Sequence, residues 1–383
     1  MNYEITGSYI SELSSNKSNK KLYILLILSI VFIPAAYVFI AAVFIDKIIK
    51  GNARFKINNK FYILVYAFIS IGLISSDYKI ISAVYVIIML LCFYSYHIFK
   101  YSTDIDNIKK IIFRVSLIIF IFGFFQYFNP EFTIPSKWID VNEYNISKRI
   151  YSTFFNPNVF GFYINFVILL TSENLNLKKI NLETLVFVSG LACLVLTFSR
   201  TSWVSLIIAL LGVSLFNKKY IKYALLISLM ILIADNLLGT GRVNLSRATE
   251  DSSFLYRIEI WKTSVEIIKD NFINGIGFGT LNKYVAAYSN IVSTKVEHSH
   301  SLYIQIITET GILGFSIFIT ILLNILNTFK IRLFADNNKK WVTVFAVFVM
   351  TMIHGFVDSV ALTPQIMLIL SIYAGAVSST KEY

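Results

Sequence analysis

Apolar runs of membrane-crossing length recur along this chain, and no other feature constrains its fold as strongly. They cover Leu22–Ile45, Phe61–Ser75, Ile80–Phe99, Ile111–Tyr127, Val159–Leu170, Leu182–Phe198, Trp203–Phe216, Ile221–Leu238, Leu302–Phe329, Trp341–Val357 and Leu362–Val377. A helix crossing the hydrocarbon core needs about 20 residues, so the shorter runs must extend into flanking Tyr, Ser and Thr. The chain is 56% hydrophobic and 15% charged, against about 45–50% and 25% in soluble domains. The mean hydropathy of +0.68 points the same way, and a soluble globular enzyme is ruled out. Aromatics at 16% with few charges exclude disorder. The expectation is an all-α polytopic membrane protein of about 11–12 transmembrane helices, with one large outer loop containing amphipathic helices.

The net charge of +12 does not indicate nucleic acid, because Lys and Arg sit in short joints between apolar runs. One alternate set of joints carries Lys47, Lys50, Arg54, Lys56 and Lys60; Lys100, Lys109 and Lys110; Lys178 and Lys179; Lys218, Lys219 and Lys222; Lys330, Arg332, Lys339 and Lys340. The opposite short joints carry little beyond Lys79 and Arg200. The first set is expected to face the cytoplasm, which puts 128–153 and 239–300 outside. Residues 1–21 are polar and lack a small-residue cleavage site before the first run, which reads as a retained span. Eleven runs place the N-terminus outside, against its lysines 17, 20 and 21; a hairpin at Pro34 would give twelve and place it inside. The expected organisation is an N-terminal bundle over 1–238, an extracytoplasmic loop over 239–300 and C-terminal helices over 301–383.

Within the long loop, Phe254, Leu255, Ile258, Trp261, Val265 and Ile268 recur at helical spacing, with Ser252 or Ser253 as caps. This predicts an amphipathic helix on the membrane surface or the bundle. Gly275, Gly277 and Gly279 then break the chain before a short helix near Leu281–Tyr288. No strand–helix unit surrounds these glycines, so they read as a tight turn and not a dinucleotide site. Cys92 and Cys193 lie in apolar runs and read as small core residues. Asp104-Ile-Asp106 resembles the metal-binding pair of nucleotide-sugar transferases, but it sits in a short loop with no nucleotide-binding domain and reads as solvated.

Few polar groups are candidates for chemistry. Arg149, Arg200, Arg257, His298 and His300 come from three separate loops, yet all fall on the outer side. Guanidiniums give fixed planar donors for phosphate oxygens, and an imidazole can take a hydroxyl proton near neutral pH. Together they suit a lipid-linked phosphate. Asn156-Pro157-Asn158 is most simply a helix start. No third ligand stands near the two histidines in sequence, so no metal is expected. His354 and Asp358, one helical turn apart, read as a buried hydrogen-bonded pair.

These residues resemble the bacterial O-antigen polymerase and ligase superfamily from about Arg149 to Phe315. The similarity rests on Arg149-Ile-Tyr-Ser-Thr-Phe-Phe-Asn-Pro-Asn158, Thr197-Phe-Ser-Arg200, Arg257-Ile-Glu-Ile-Trp261, Gly275-Ile-Gly-Phe-Gly279 and His298-Ser-His300-Ser-Leu-Tyr-Ile-Gln-Ile-Ile-Thr-Glu-Thr-Gly311. His300 occupies the family's histidine position, and Ser301 stands where the family pattern has Asn. The resemblance implies a glycosyltransferase in the bacterial inner membrane. Its site would be periplasmic, its donor an undecaprenyl-diphosphate-linked oligosaccharide, and it would need no nucleotide sugar, metal or other cofactor. It implies catalytic roles for His300, Arg257 and Arg200, and substrate-binding roles for Arg149, Asn156, Asn158, Tyr303, Gln305 and Glu309. The segment after Arg149 is more similar to the polymerases, which join lipid-linked repeat units and can work with a chain-length regulator. The ligases, which use lipid A core as acceptor, share the motifs. A lipid-linked-oligosaccharide flippase is the alternative of another class. Transporters are often built from two similar halves with midplane charges, which this chain lacks.

Overall fold

The computed structural model describes residues 16–49, 60–102, 104–244, 251–336 and 339–378. Residues 1–15, Lys50, Arg54 and Lys56 of the first basic joint, and residues 245–250 of the outer loop lie outside the described residues. The described elements are helical: α1 Asn16–Val31, α2 Ile33–Ile49, α3 Lys60–Ile74, α4 Lys79–Ser102, α5 Ile105–Phe128, α6 Val141–Tyr144, α7 Pro157–Ser172, α8 Leu182–Leu196, α9 Arg200–Val213, α10 Lys219–Leu238, α11 Ser252–Asp270, α12 Leu281–Tyr288, α13 Leu302–Asp336, α14 Lys339–His354 and α15 Pro364–Val377, with three short 3₁₀ turns. No strand forms among the described residues; Asp140 and Ile146 make one isolated bridge.

Among the described residues, α4, α5, α10 and α13 are long and apolar enough to cross a membrane, and seven further apolar helices are shorter. Large apolar side chains stand bare on them: Ile80 is 84% exposed, Leu237 82% and Leu225 65%. Apolar surface left in water costs about 25 cal/mol per Å², so such faces need lipid. The chain is an all-α, multi-pass membrane protein, as its apolar runs predict.

Helix α7 sits at the centre. Every residue from Pro157 to Ser172 is buried except Asn158, and α8, α9 and α14 pack around it. A helix apolar on all sides belongs in the middle of a bundle. Its one half-exposed residue lies at the end where the candidate site forms.

The first apolar run divides at Phe32 into α1 and α2, with Pro34 in the first turn of α2: Ile30 O meets Gln365 at the start of α15, while Tyr37 and Phe44 run back along α4 beside Cys92 (3.2 Å) and Tyr94 (4.9 Å), the hairpin that gives twelve spans. Phe32 N–H donates to Leu28 O (2.8 Å) at the end of α1, and Phe32 O accepts Ala36 N–H (3.3 Å) at the start of α2, so Phe32 closes one helix and opens the next. Proline cannot bond back to the carbonyl four residues earlier. That carbonyl, Ile30 O, instead accepts Thr153 Oγ1–H and Gln365 Nε2–H, each at 3.0 Å.

The outer loop holds α11 and α12 where expected, with two differences. Asp251 caps α11, its Oδ1 accepting Phe254 N–H at 2.9 Å, in place of Ser252 or Ser253. The face of α11 turned inward is Ile260, Thr263, Ser264 and Ile267, whereas Leu255 and Val265 are exposed. Ile260 and Ile267 pack with Ile276, Leu281, Val285 and Val292 in a small core local to the loop. A partner assembled from later segments chose the buried face.

The glycine turn does more than reverse the chain. Ile276 N–H donates to Thr308 O (3.0 Å) and Gly277 N–H to Glu309 O (2.8 Å), while Phe278 N–H reaches Gly72 O in α3 (3.1 Å). Helix α13 breaks at Gly311, whose φ is 61°, so the carbonyls before the break need donors from outside the helix. A Cβ on Gly275 would lie 2.4–2.5 Å from the backbone of Glu309, Thr310 and Gly311. Only glycine allows this approach, and its φ of 72° also favours glycine.

Candidate active site

Three chain segments converge above α7. The first is 149–158. Ile150 N–H donates to Leu196 O (3.1 Å), and Arg149 Nε–H donates to Thr197 O (2.8 Å), so this stretch is laid against the end of α8. Asn156 caps α7, its Oδ1 accepting Asn158 N–H at 2.8 Å, with Pro157 in the first turn. This uses the preferences of Asn and Pro for these positions. Asn158 is left to face the site. Its Oδ1 accepts from Arg149 Nη2 (3.1 Å), and its Nδ2–H donates to Asp358 Oδ2 (2.8 Å).

The second segment is the turn before α13. His300 adopts a left-handed backbone, φ 53°, and Leu302 N–H is tied to Gly355 O at 2.7 Å. The His298 and His300 rings meet edge to face at 4.2 Å.

The third is the turn after α14, which supplies Asp358. Its Oδ1 lies 3.5 Å from His300 Nδ1, and its Oδ2 lies 3.9 Å from Arg257 Nη2. Arg257 is also fixed by donating to Val357 O at 2.9 Å. The expected His354–Asp358 side-chain pair does not form. Only Asp358 N–H meets His354 O (3.0 Å), while the His354 ring faces Ser202 Oγ at 3.5 Å. The carboxylate turns the other way because Asn158, Arg257 and His300 together offer it more donors. Burial would raise the Asp358 carboxyl, but His300 and the charge of Arg257 outweigh burial and hold it well below the usual carboxylate range.

Beside this group lies a second charged cluster. Arg200 donates to Asp251 and to Tyr144 Oη (3.2 Å). Arg242, 7% exposed, approaches Asp251 Oδ2 at 3.4 Å and Asp140 Oδ2 at 3.3 Å, and lies over the Tyr144 ring at 4.0 Å. Asp251 is also held below its ordinary range. Its burial is overcome by hydrogen bonds from Ser253 and Tyr144 and by the charge of Arg200.

The four guanidiniums are not equivalent. Arg200, Arg242 and Arg257 each have a carboxylate within 4.0 Å. Arg149 has no such ion pair among the described residues, and it is held by neutral oxygens. Burial, and then repulsion from Arg242, Arg257 and Arg200, pushes Arg149 down to about 9, still charged near pH 7. A half-buried cation facing three others is the strongest local invitation to an anionic ligand.

The remaining sequence candidates lie apart. Tyr303 Oη donates to Met352 O at 3.0 Å and pins α13 to α14. Gln305 and Glu309 are buried beneath the histidine turn and bond to each other (2.6 Å). Sequence reasoning missed Arg242, Asp251 and Tyr144, and it misplaced Asp358. An acidic residue between two apolar runs on the outer side was the available signal for Asp358.

His298, His300 and Asp358 offer ligand atoms within 4.8 Å of one another. The expectation that the histidines lack a third ligand therefore does not hold in space. The donor set nonetheless suits an imidazole paired with a carboxylate better than a metal cation, because Arg257 already places a positive charge against the same carboxylate.

Residues 185–319 match the family model described as O-antigen ligase. No curated protein and no solved structure matches the chain. The matched segment runs from α8 into α13 and contains Arg200, Arg242, Asp251, Arg257 and His300; Arg149, Asn158 and Asp358 reach the same site from outside it. Over residues 185–319 this multi-pass membrane protein is thus similar to the O-antigen ligase family, a match that supports the O-antigen polymerase and ligase superfamily.

Proposed function

We propose that the protein is a surface-polysaccharide polymerase of the bacterial inner membrane, with its active site on the periplasmic face. It transfers a glycan from undecaprenyl diphosphate to a hydroxyl of a second lipid-linked repeat unit. The observation that carries this reading is the convergence of His300, Asp358 and four arginines at one end of α7, from segments far apart in sequence.

His300 is the base. With the proton on Nδ1, beside the Asp358 carboxylate at 3.5 Å, the lone pair for catalysis is on Nε2 (a tautomer assigned from this proximity). Nε2 takes the acceptor hydroxyl proton as the acceptor oxygen attacks the anomeric carbon. The bond from that carbon to the phosphate oxygen breaks, and its electron pair leaves with the diphosphate. Direct displacement inverts the anomeric centre. Asp358 stabilises the imidazolium that forms, the role of the buried carboxylate in a hydrolase triad. Arg149 and Arg257 receive the diphosphate. Arg200 joins them by exchanging Asp251 for a phosphate oxygen, so that positive charge meets the negative charge growing on the leaving group. Asn156 acts through the cap of α7 and Asn158 through Arg149 and Asp358. Residues 1–238 and 301–383 form the membrane frame of this site, and 239–300 the loop that brings Arg257. A chain-length regulator is the expected protein partner.

The family model's description as a ligase favours one second reading, transfer to lipid A core. Purified protein in lipid nanodiscs, given lipid-linked repeat alone, tests both. Polymer formed without lipid A core, in the presence of EDTA, supports the polymerase reading. Product formed only when lipid A core is added supports the ligase. Normal turnover by His300→Asn across a range of pH removes His300 from the mechanism, since an amide replaces a hydrogen bond but not a base.

A further inference from the structure

Glu309 places a carboxyl group inside α13, where it is 4% exposed. An ionisable group at such depth is costly and normally has a task. Its Oε1 accepts Gly279 N–H at 2.7 Å and Gln305 Nε2–H at 2.6 Å. The other end of the Gln305 amide, Oε1, accepts Ser299 N–H at 2.5 Å. The Ser299 hydroxyl then donates to Ser301 O at 2.9 Å. Both neighbours of His300 are therefore held, and the chain of bonds runs through two buried side chains to the glycine turn.

The object held is a strained one. A non-glycine residue in the left-handed region is strained, and it persists only where its surroundings over-determine it. His300 has φ 53°, and with this backbone its ring meets Asp358. If the Ser299 peptide were released, the turn could relax and carry the imidazole off that line. The glycine turn anchors the chain of bonds: Ile276 and Gly277 N–H donate to Thr308 O and Glu309 O, and Gly275, Gly277 and Gly279 each lie too close to their neighbours to admit a Cβ.

We infer that Glu309 and Gln305 are positioning residues for His300, acting through the Ser299 peptide to keep the imidazole aligned with Asp358. They would not contact the sugar or the diphosphate. The inference rests on the reading of His300 as the base.

The test uses full-length protein in nanodiscs with lipid-linked repeat as substrate. Gln305→Ala and Glu309→Ala are expected to lower kcat about 100-fold, the cost of misplacing a catalytic group by roughly 1 Å, with donor KM near wild type. Glu309→Gln, which keeps an oxygen for both donors, is expected to restore most of kcat. The decisive arm is the double variant. Added to His300→Ala, Gln305→Ala should cost nothing further, because its effect passes through the missing imidazole. If Gln305→Ala lowers the residual rate of His300→Ala by the same factor as in wild type, or leaves wild-type kcat unchanged, the positioning role is overturned. If His300→Ala alone turns over at the wild-type rate, the base assignment itself fails, and that result is distinguishable from failure of the relay. Should Glu309→Ala fail to insert, Gln305→Ala and Glu309→Gln still decide the question.

Discussion

Asp358 divides its carboxylate between two tasks: one oxygen lies 3.5 Å from His300 Nδ1, and the other accepts the Asn158 amide at 2.8 Å. Asn158 in turn accepts from Arg149. His300 and Arg149, which has no carboxylate within salt-bridge distance among the described residues, are thus joined through two intermediate side chains, so that in the proposed mechanism proton transfer and anion binding share one scaffold.

Asp358→Asn keeps the shape of this link and removes its charge. The imidazolium formed during transfer would lose its counter-ion, and an amide NH2 could reverse the His300 tautomer. Turnover is expected to fall about 10²–10⁴-fold, with lipid-donor binding retained. Single-turnover assays with prebound donor separate the two quantities. A variant with wild-type kcat would remove Asp358 from the proton-transfer step.

Asp251→Asn is expected to act in the opposite sense on affinity. Asp251 occupies Arg200 in the free protein and stands where a phosphate oxygen would bind. Asparagine still caps α11 but releases the guanidinium. Donor KM should fall by about tenfold, the equivalent of roughly 1.4 kcal/mol. A higher KM in a well-folded variant would show that Asp251 supports the site and does not compete for it.

Arg149→Lys, Arg200→Lys and Arg257→Lys each keep a charge but lose the planar fork that matches phosphate oxygens. Losing one preorganised donor at a developing charge costs on the order of 10²–10³ in rate. Arg149→Lys should be the most sensitive to ionic strength, since Arg149 faces no carboxylate within salt-bridge distance among the described residues. Initial rates across a salt series test this; equal salt slopes for all three variants would count against it.

His298 gives a pH signature in stability. Burial first, then His300 and Arg257, push its imidazole down to about 4 from an ordinary value near 6.5. Between these values the unfolded chain binds a proton that the folded protein refuses, so stability rises with pH across the window and is lost as pH falls from about 6.5 to about 4. His298→Asn should flatten this part of the curve. Thermal unfolding in detergent from pH 4 to 7 measures it, and an unchanged slope in the variant would assign the pH dependence to another group. Turnover should suffer far less than in His300→Ala.

The membrane architecture was legible because 3.6-residue helices in lipid need long uninterrupted apolar stretches, and these survive any tertiary arrangement. Arg149, Arg200, Arg257 and His300 were legible because a charge or imidazole beside an apolar run is rare and demands a reason. Asp358 was misread because i, i+4 spacing suggested His354 as its partner, and sequence does not reveal that Asn158, Arg257 and His300 compete for the same carboxylate. The inward face of α11 was hidden for a similar reason. Its partners, Ile276, Leu281, Val285 and Val292, follow it in the chain and form a core only after the glycine turn closes. Gln305 and Glu309 were marked only by the family resemblance, as substrate-binding residues, and the break at Gly311 that shapes their surroundings is concealed in a continuous apolar run.

The turn between α1 and α2, with Pro34 in the first turn of α2, has a consequence for how the molecule is made. The carbonyl it strands, Ile30 O, is satisfied by Thr153 and by Gln365 at the start of α15, and Tyr37 Oη beside it donates to Pro364 O. When the ribosome has delivered only the first half of the chain, Gln365 and Pro364 do not yet exist. The first crossing therefore enters the bilayer with an incompletely bonded seam, and that seam closes only after α15 has been synthesised and inserted.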